Sequence, residues 1–339
     1  MAPTLLRAPG TRSAAFGLAL ELDAEIELWG LPPREASALA GLPVTRVRLD
    51  GGELRRRWSA VEHGAERVRE LRGGNELVLS VDLAEPAGYL LHAPGFAHIL
   101  VAPDGGELLC EPLCEGSEWT TLVLAQALPL AATLQGLEVL HASAVVVPGG
   151  GPLGGEAALF SGPQGAGKSS LAAALVRRGA RLLADDTVAM SVRAGRLLAH
   201  PGPGMVQLRP AEHERLGRET QRSRAHADEA QVAAASEPVL GKHRLAVPVR
   251  AEGVAFGGLF LLERGTAGMP PLERIEQVDP LRLLATTFNL SVKTPQRLTR
   301  HLDLAGALAA SRRVFRLRIQ PAIDATQLAD ILLERLPEL

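Results

Sequence analysis

Eight consecutive residues constrain this chain more than any others: Gly162-Pro-Gln-Gly-Ala-Gly-Lys168-Ser169, a complete G-x-x-x-x-G-K-S/T sequence. The spacing has a mechanical meaning. Glycines let the backbone turn tightly, so that successive N–H groups converge on phosphate oxygens. A lysine at the end of the loop reaches the outer phosphates, and the following hydroxyl is placed to hold Mg²⁺. The flanks agree with this reading. Ala157-Ala-Leu-Phe-Ser161 is a short apolar run of strand type. Ser170 to Arg178 is a good helix former, and Gly179 stops it. A strand, a glycine loop and a helix N-terminus together suit an anion, so the chain is expected to bind a nucleotide. The candidate binding set is Gly162, Gln164, Gly165, Ala166, Gly167, Lys168, Ser169 and Ser170.

Composition narrows the partners. With 339 residues there is room for two domains, and 46% hydrophobic with 22% charged residues is ordinary for a globular protein. A formal net charge of −2 argues against duplex DNA or an anionic membrane. Aromatic residues at 3% leave little for stacking single-stranded bases. Cys110 and Cys114 have no companion pair and read as idle thiols. No run approaches the roughly eighteen apolar residues of a membrane helix, so a cytoplasmic protein is expected. Only three lysines occur, Lys168, Lys242 and Lys293, against a background of arginine. A compact ammonium is thus used sparingly, which makes Lys242 a second site candidate.

The expected fold class is α/β. Residues 1–117 alternate strand-like runs (Phe16 to Leu22, Pro43 to Leu49, Glu76 to Asp82, Gly88 to His92, His98 to Val101) with turns. Arg34 to Leu42 and Ala60 to Leu71 read as helices, giving a small α+β domain. Residues 118–138 form an apolar connecting helix, kinked at Pro129. Residues 139–339 form the nucleotide-binding domain. Within it, 216–238 read as a polar loop or lid. The C-terminal part alternates a strand (Gly253 to Leu262), helices (Pro280 to Leu290, Pro295 to Ala310), a strand (Arg313 to Ile319) and a closing helix (Ala325 to Leu336).

Asp185 and Asp186 come after the apolar run Arg181-Leu-Leu-Ala184, directly beyond the loop helix. In a βαβ unit this strand and the loop strand point their C-terminal ends the same way, which brings both carboxylates near the phosphates. Neighbouring residues on a strand face opposite sides, so the two have different tasks. One can ligate Mg²⁺ and the other can take a proton from an incoming hydroxyl. Otherwise the pair is a turn or a helix cap. His141 and Ser143 share one face of a strand from Leu140 to Pro148. There His141 is either structural or a partner that tunes a carboxylate.

These segments resemble the catalytic core of HPr kinase/phosphorylase. The likeness lies in Leu140-His-Ala-Ser-Ala, the loop through Ser170-Leu-Ala-Ala-Ala, and Arg178-Gly-Ala-Arg-Leu-Leu-Ala-Asp-Asp186. His200-Pro-Gly-Pro-Gly-Met-Val-Gln-Leu-Arg-Pro210 is similar to the segment that group carries after its Asp pair. The motifs cover about residues 139–210. The chain looks most like family members with a different N-terminal half, some of which phosphorylate ribosomally made peptides, including lasso peptides. The resemblance implies a C-terminal P-loop kinase domain with ATP and Mg²⁺ as cofactors. It also implies Lys168 on the phosphates, Ser169 and Asp186 on the metal, Asp185 as base and His141 supporting Asp185. The family's Glu-Ile-Arg-Gly-Leu-Gly segment has no counterpart here, and Gly241-Lys242-His243-Arg244 occupies the region instead. HPr as substrate, and the reverse reaction, are therefore not expected.

The sequence thus reads as a Mg-ATP-dependent kinase acting on a serine or other hydroxyl of a peptide, protein or small molecule. The N-terminal domain would recognise that acceptor. No nucleic acid or membrane partner is expected, and the subunit number stays open, with a homo-oligomer one option. The alternative is a P-loop ATPase or an ATP-sensing module. The Leu-Ser-Gly-Gly-Gln signature of transporter ATPases and the Asn-Lys-x-Asp of GTPases are both missing.

Overall fold

A computed structural model describes residues 10–149, 153–208, 236–239, 242–247, 252–266, 269–289, 291–320 and 323–336, with a few isolated positions besides. The chain divides into two compact units. One comprises Met1–Leu137 with Asn289–Arg297, the other Glu138–Phe288 with Leu298–Leu339.

The first unit is built on one eight-stranded sheet in the order β1-β2-β3-β8-β7-β6-β5-β4. Its strands are β1 (Thr11–Ala15), β2 (Leu18–Leu22), β3 (Val44–Leu49), β4 (Glu66–Gly73), β5 (Glu76–Ala84), β6 (Gly88–Ala93), β7 (Ala97–Val101) and β8 (Glu107–Pro112). A helix, Gly51–Ser59, starts where the Asp50 carboxylate accepts the Glu53 N–H at 3.0 Å. It buries Leu54 against Leu90, Leu100 and Leu109 of the sheet. Residues 120–134 are helical, with a wide turn at Val123–Ala127 just before Pro129. There the Leu128 N–H reaches back five residues to Val123 O, next to the proline that has no N–H to give. This helix and residues 289–297 both cluster with the first unit.

Three local expectations change in this unit. Phe16 to Leu22 is not one strand: Phe16 and Gly17 take φ of 55° and 76° and turn β1 into β2 as a hairpin. Arg34 to Leu42 holds only a short 3₁₀ turn, Ala36–Leu39. From Glu66 on, Ala60 to Leu71 is strand rather than helix. Gly74 and Asn75 close β4 onto β5, and Arg67 pairs with Asp82 directly opposite it, Nε to Oδ1 at 2.9 Å. Cross-strand pairing outweighs a weak local helix preference.

The second unit contains β9 (Glu138–Leu140), β10 (Ala142–Val146), β11 (Ala157–Ser161), β12 (Arg181–Ala184), β13 (Val188–Arg193), β14 (Arg196–His200), β15 (Met205–Leu208), β16 (Ser236–Val239), β17 (Lys242–Ala246), β18 (Val254–Arg264), β19 (Leu272–Arg274) and β20 (Val314–Ile319). Nine of them form one sheet along the path β12-β10-β11-β18-β14-β13-β9, with β20 beside β18 and β19 beyond it. β15, β17 and β16 make a small separate sheet. Strands β11, β18 and β20 are parallel.

Alternation along β11 sends Phe160 to one side and Leu159 to the other, and each anchors a core. Phe160 packs with Leu171 and Leu175 of the loop helix and with Leu328 and Leu332 of the C-terminal helix, Ala325–Arg335. Phe160, Phe260 and Phe315 stack there, with successive ring centroids 5.5 and 5.0 Å apart. Leu159 packs with Leu283, Leu304 and Leu308 from the helices Pro280–Leu284 and Pro295–Ala310. Helices thus cover both faces of a mixed sheet, and the architecture is α/β.

Candidate active site

The loop strand β11 ends at Ser161, and the chain turns through Gly162–Gly167 into the helix Lys168–Val176. That helix is buried on nearly every side, which explains why it is made of Ala and Leu rather than patterned with charge. Gly165 and Gly167 have φ of 79° and 85°, a conformation that other residues adopt only under strain. Gly162 is needed for space: a Cβ there would sit 2.9 Å from the Leu262 carbonyl oxygen on β18. Lys168 is buried, and its ammonium donates to Gly162 O at 2.9 Å and Pro163 O at 3.2 Å. The lysine therefore lies folded over the loop it ends. Gly167 stands at the N-cap without a capping side chain, so the helix start presents backbone amides and a cation to an anion.

Strand β10 lies between β11 and β12 and is antiparallel to both. The loop strand and the aspartate strand are therefore parallel but not adjacent. The N-terminal end of β10 is brought to their C-terminal ends, Ala142 opposite Ser161 and Ala144 opposite Ala184. The expected single strand from Leu140 to Pro148 is broken at His141, between β9 and β10. There the His141 N–H leaves the ladder for Thr286 O at 2.7 Å.

The two aspartates are held in different ways. Asp185 is buried, and both its oxygens are fixed. Ser143 Oγ donates to Oδ1 at 2.5 Å, and the Gln207 N–H of β15 donates to Oδ2 at 2.9 Å. The Ser169 hydroxyl lies near enough to favour the charged form of this carboxylate, the smallest of the influences on it. Burial pushes the Asp185 carboxyl above its ordinary pKa range, against the hydrogen bonds from Gln207 and Ser143, and the charge of Asp186 adds to the rise.

Asp186 is at the tip of a tight turn. Its φ is 68°, and the Thr187 N–H donates to Asp185 O across it at 2.9 Å, closing a γ-turn. Its side chain is 38% exposed. His141 Nδ1 lies 2.9 Å from Asp186 O and 3.7 Å from Asp186 Oδ1, and the imidazole faces the Phe288 ring at 6.4 Å.

The residues expected around the phosphates, Lys168, Ser169, Ser170, Asp185, Asp186 and His141, thus gather at one end of the sheet. His141 lies against Asp186, where the resemblance implies support of Asp185, and Ser169 is near Asp185. Three contributors went unread in the sequence. Gln207 acts through its backbone, Phe288 forms a ring wall, and Ser161 Oγ donates to His141 O at 3.0 Å. Only the segment His200 to Pro210 hinted at the first. Most of 216–238 and the side chains of Lys242, His243 and Arg244 lie outside the described residues.

Among the described residues no group of three or more His, Cys, Asp or Glu is arranged for a metal. Mg²⁺ bound between nucleotide phosphates takes only one or two protein oxygens. The Ser169 hydroxyl with the nearby Asp185 carboxylate is a donor set of that kind. Elsewhere, in the first unit, a cleft of about 900 Å³ is lined by Arg12, Arg34 and Arg46 together with Glu21, Asp23 and Glu25. Cys110 is buried and its thiol pKa is raised by burial. No described helix is long and apolar enough to cross a membrane.

No protein-family model matches the chain, and no curated protein matches it. Among solved structures it is similar to the HPr(Ser) kinase/phosphatase from Coxiella burnetii, at 17% identity over 58% of this chain and 94% of that one, with a TM-score of 0.28. That likeness is distant, and the chemistry of this chain rests on its own side chains.

Proposed function

We propose that the second unit is a Mg-ATP-dependent phosphotransferase that moves the γ-phosphoryl group of ATP to a hydroxyl of a peptide, protein or small molecule. The observation that carries this reading is the unequal environment of two adjacent carboxylates beside a phosphate-binding loop: one buried and held by Ser143 and the Gln207 N–H, the other exposed beside a histidine. The loop amides and Lys168 hold the β- and γ-phosphates. Ser169 and Asp185 would hold Mg²⁺, which when bound supplies positive charge to the phosphate oxygens.

Asp186 takes the acceptor proton. Its carboxylate is accessible, and its turn is pinned through the backbone carbonyl by His141. The hydroxyl oxygen attacks the γ-phosphorus as its proton passes to Asp186 Oδ, and the bond from phosphorus to the β–γ bridging oxygen breaks, leaving ADP. This assignment reverses the roles of Asp185 and Asp186 that the family resemblance implies, because a fixed carboxylate near Ser169 suits a metal ligand and exposure suits a base. The acceptor would be recognised by the first unit, where the mixed-charge cleft offers fixed guanidinium and carboxylate groups to a polar chain. ATP as donor favours a cytoplasmic setting.

The test is transfer from γ-labelled ATP with Mg²⁺ to peptides encoded beside the gene and to a metabolite panel, using wild type, Asp185→Asn and Asp186→Asn. Label on an acceptor, lost in Asp186→Asn at saturating Mg²⁺, supports the reading. Free phosphate alone, whatever the acceptor, would make the protein an ATPase and remove Asp186 from the base role.

A further inference from the structure

β10 brings one side chain to each aspartate, His141 just before it to Asp186 and Ser143 within it to Asp185. The second contact has no place in the transfer step above. Ala142, Ala144, Val145 and Val146 around it are apolar and buried, so Ser143 is the one polar side chain in a fully buried five-residue strand. A buried hydroxyl is costly unless it is hydrogen-bonded, and the partner here is a carboxylate oxygen at 2.5 Å. The other oxygen of the same carboxylate accepts the Gln207 amide. Held at both oxygens, the carboxylate is restrained against rotation about Cβ–Cγ.

We propose that Ser143 is a positioning residue that sets the affinity of the nucleotide site for its divalent cation by locking Asp185. This rests on the reading of Ser169 and Asp185 as the cation pair. Without the Ser143 hydroxyl, Asp185 keeps its place but loses its fixed orientation. Cation binding then has to order it. Outer-sphere partners of this kind are typically worth roughly 10–100-fold in metal affinity.

The experiment measures ADP binding by calorimetry in EDTA and at stepped Mg²⁺, for wild type, Ser143→Ala and Ser143→Thr, alongside thermal melts. The expected result is an unchanged ADP affinity in EDTA for Ser143→Ala, with the Mg²⁺ midpoint of the affinity gain raised about 10–100-fold. Ser143→Thr keeps the hydroxyl and should return the midpoint toward wild type. A wild-type midpoint in Ser143→Ala overturns the proposal. So does an equal loss of ADP affinity with and without Mg²⁺, which would mark a packing role. If wild type itself shows no Mg²⁺ effect on ADP binding, the reading of Ser169 and Asp185 as a cation pair falls first, and the proposal falls with it.

Discussion

His141 Nδ1 lies 2.9 Å from the backbone carbonyl oxygen of Asp186. A carbonyl can only accept, so Nδ1 is the donor in this contact. The contact also anchors a residue in a conformation that a non-glycine side chain resists, φ of 68°. Strain of this kind persists where the surroundings over-determine it, and it concentrates at functional sites.

That strain gives the first prediction. Asp186→Gly relieves it and should leave stability unchanged or raise it by up to about 1 kcal/mol, while phosphotransfer is lost. Asp186→Val places a β-branched residue at positive φ and should cost about 1–2 kcal/mol. Urea unfolding of the two variants checks this, and equal stability of both would contradict the turn geometry.

Lys168→Ala removes a buried ammonium and its two bonds to loop carbonyls. Charge-assisted bonds to phosphate are worth about 1.5–3 kcal/mol, so nucleotide affinity should fall by roughly 10–100-fold. Titration with a fluorescent ATP analogue measures it, and an undiminished affinity would show that the loop does not hold phosphate.

Gly162→Ala tests the close approach of loop and β18. The added methyl would sit 2.9 Å from Leu262 O, against backbone that cannot swing away. The expected outcome is a melting temperature several degrees lower, with weaker nucleotide binding, since overpacking costs about 1–3 kcal/mol. By contrast Gly306→Ala, where a Cβ meets nothing within 4 Å, should be harmless in the same assays.

His200 supplies a pH prediction independent of the chemistry. It is buried on β14 with Nε2 2.8 Å from Ser191 Oγ, and burial, with a smaller push from the Arg193 charge, lowers its pKa to about 4. The unfolded chain binds the proton more readily, near pH 6.5. Stability contributed by neutral His200 is therefore complete above about pH 6.5 and is lost as pH falls toward 4. Between pH 7.5 and 5 the loss should be about 2 kcal/mol. Urea midpoints at the two pH values, in wild type and His200→Gln, would show this component removed in the variant. An unchanged difference would assign the acid sensitivity to other groups.

The phosphate loop and its flanks were readable because they are local. β11, the loop helix and β12 are each set by a short run of neighbouring residues, as are the helix Pro295–Ala310 and the capped helix Ala325–Arg335, where Asp324 and Gln327 form a reciprocal cap. Long-range pairing misled the same kind of reading elsewhere. Glu66–Gly73 has charges and apolar residues that suit a helix, yet Asp82 and its neighbours, a turn away, draw it into a sheet. The helix Gly51–Ser59 was hidden by the two glycines at its start, although Asp50 and Glu53 marked its cap.

The sequence by itself determined that a glycine loop, a lysine and a serine would open a helix and that a strand ending in two adjacent carboxylates would follow, because each of these features depends on residues within a few positions of one another. Which carboxylate meets Ser143, and which meets His141, was decided only in three dimensions. Adjacent residues on a chain can be told apart only by the groups that the rest of the fold places against them. Here β10 enters between β11 and β12, with Ser143 directed to Asp185 and the preceding His141 to Asp186, and β15 adds an N–H from Gln207. Tertiary structure likewise returns residues 289–297 to the first unit, and no local propensity records such a crossing.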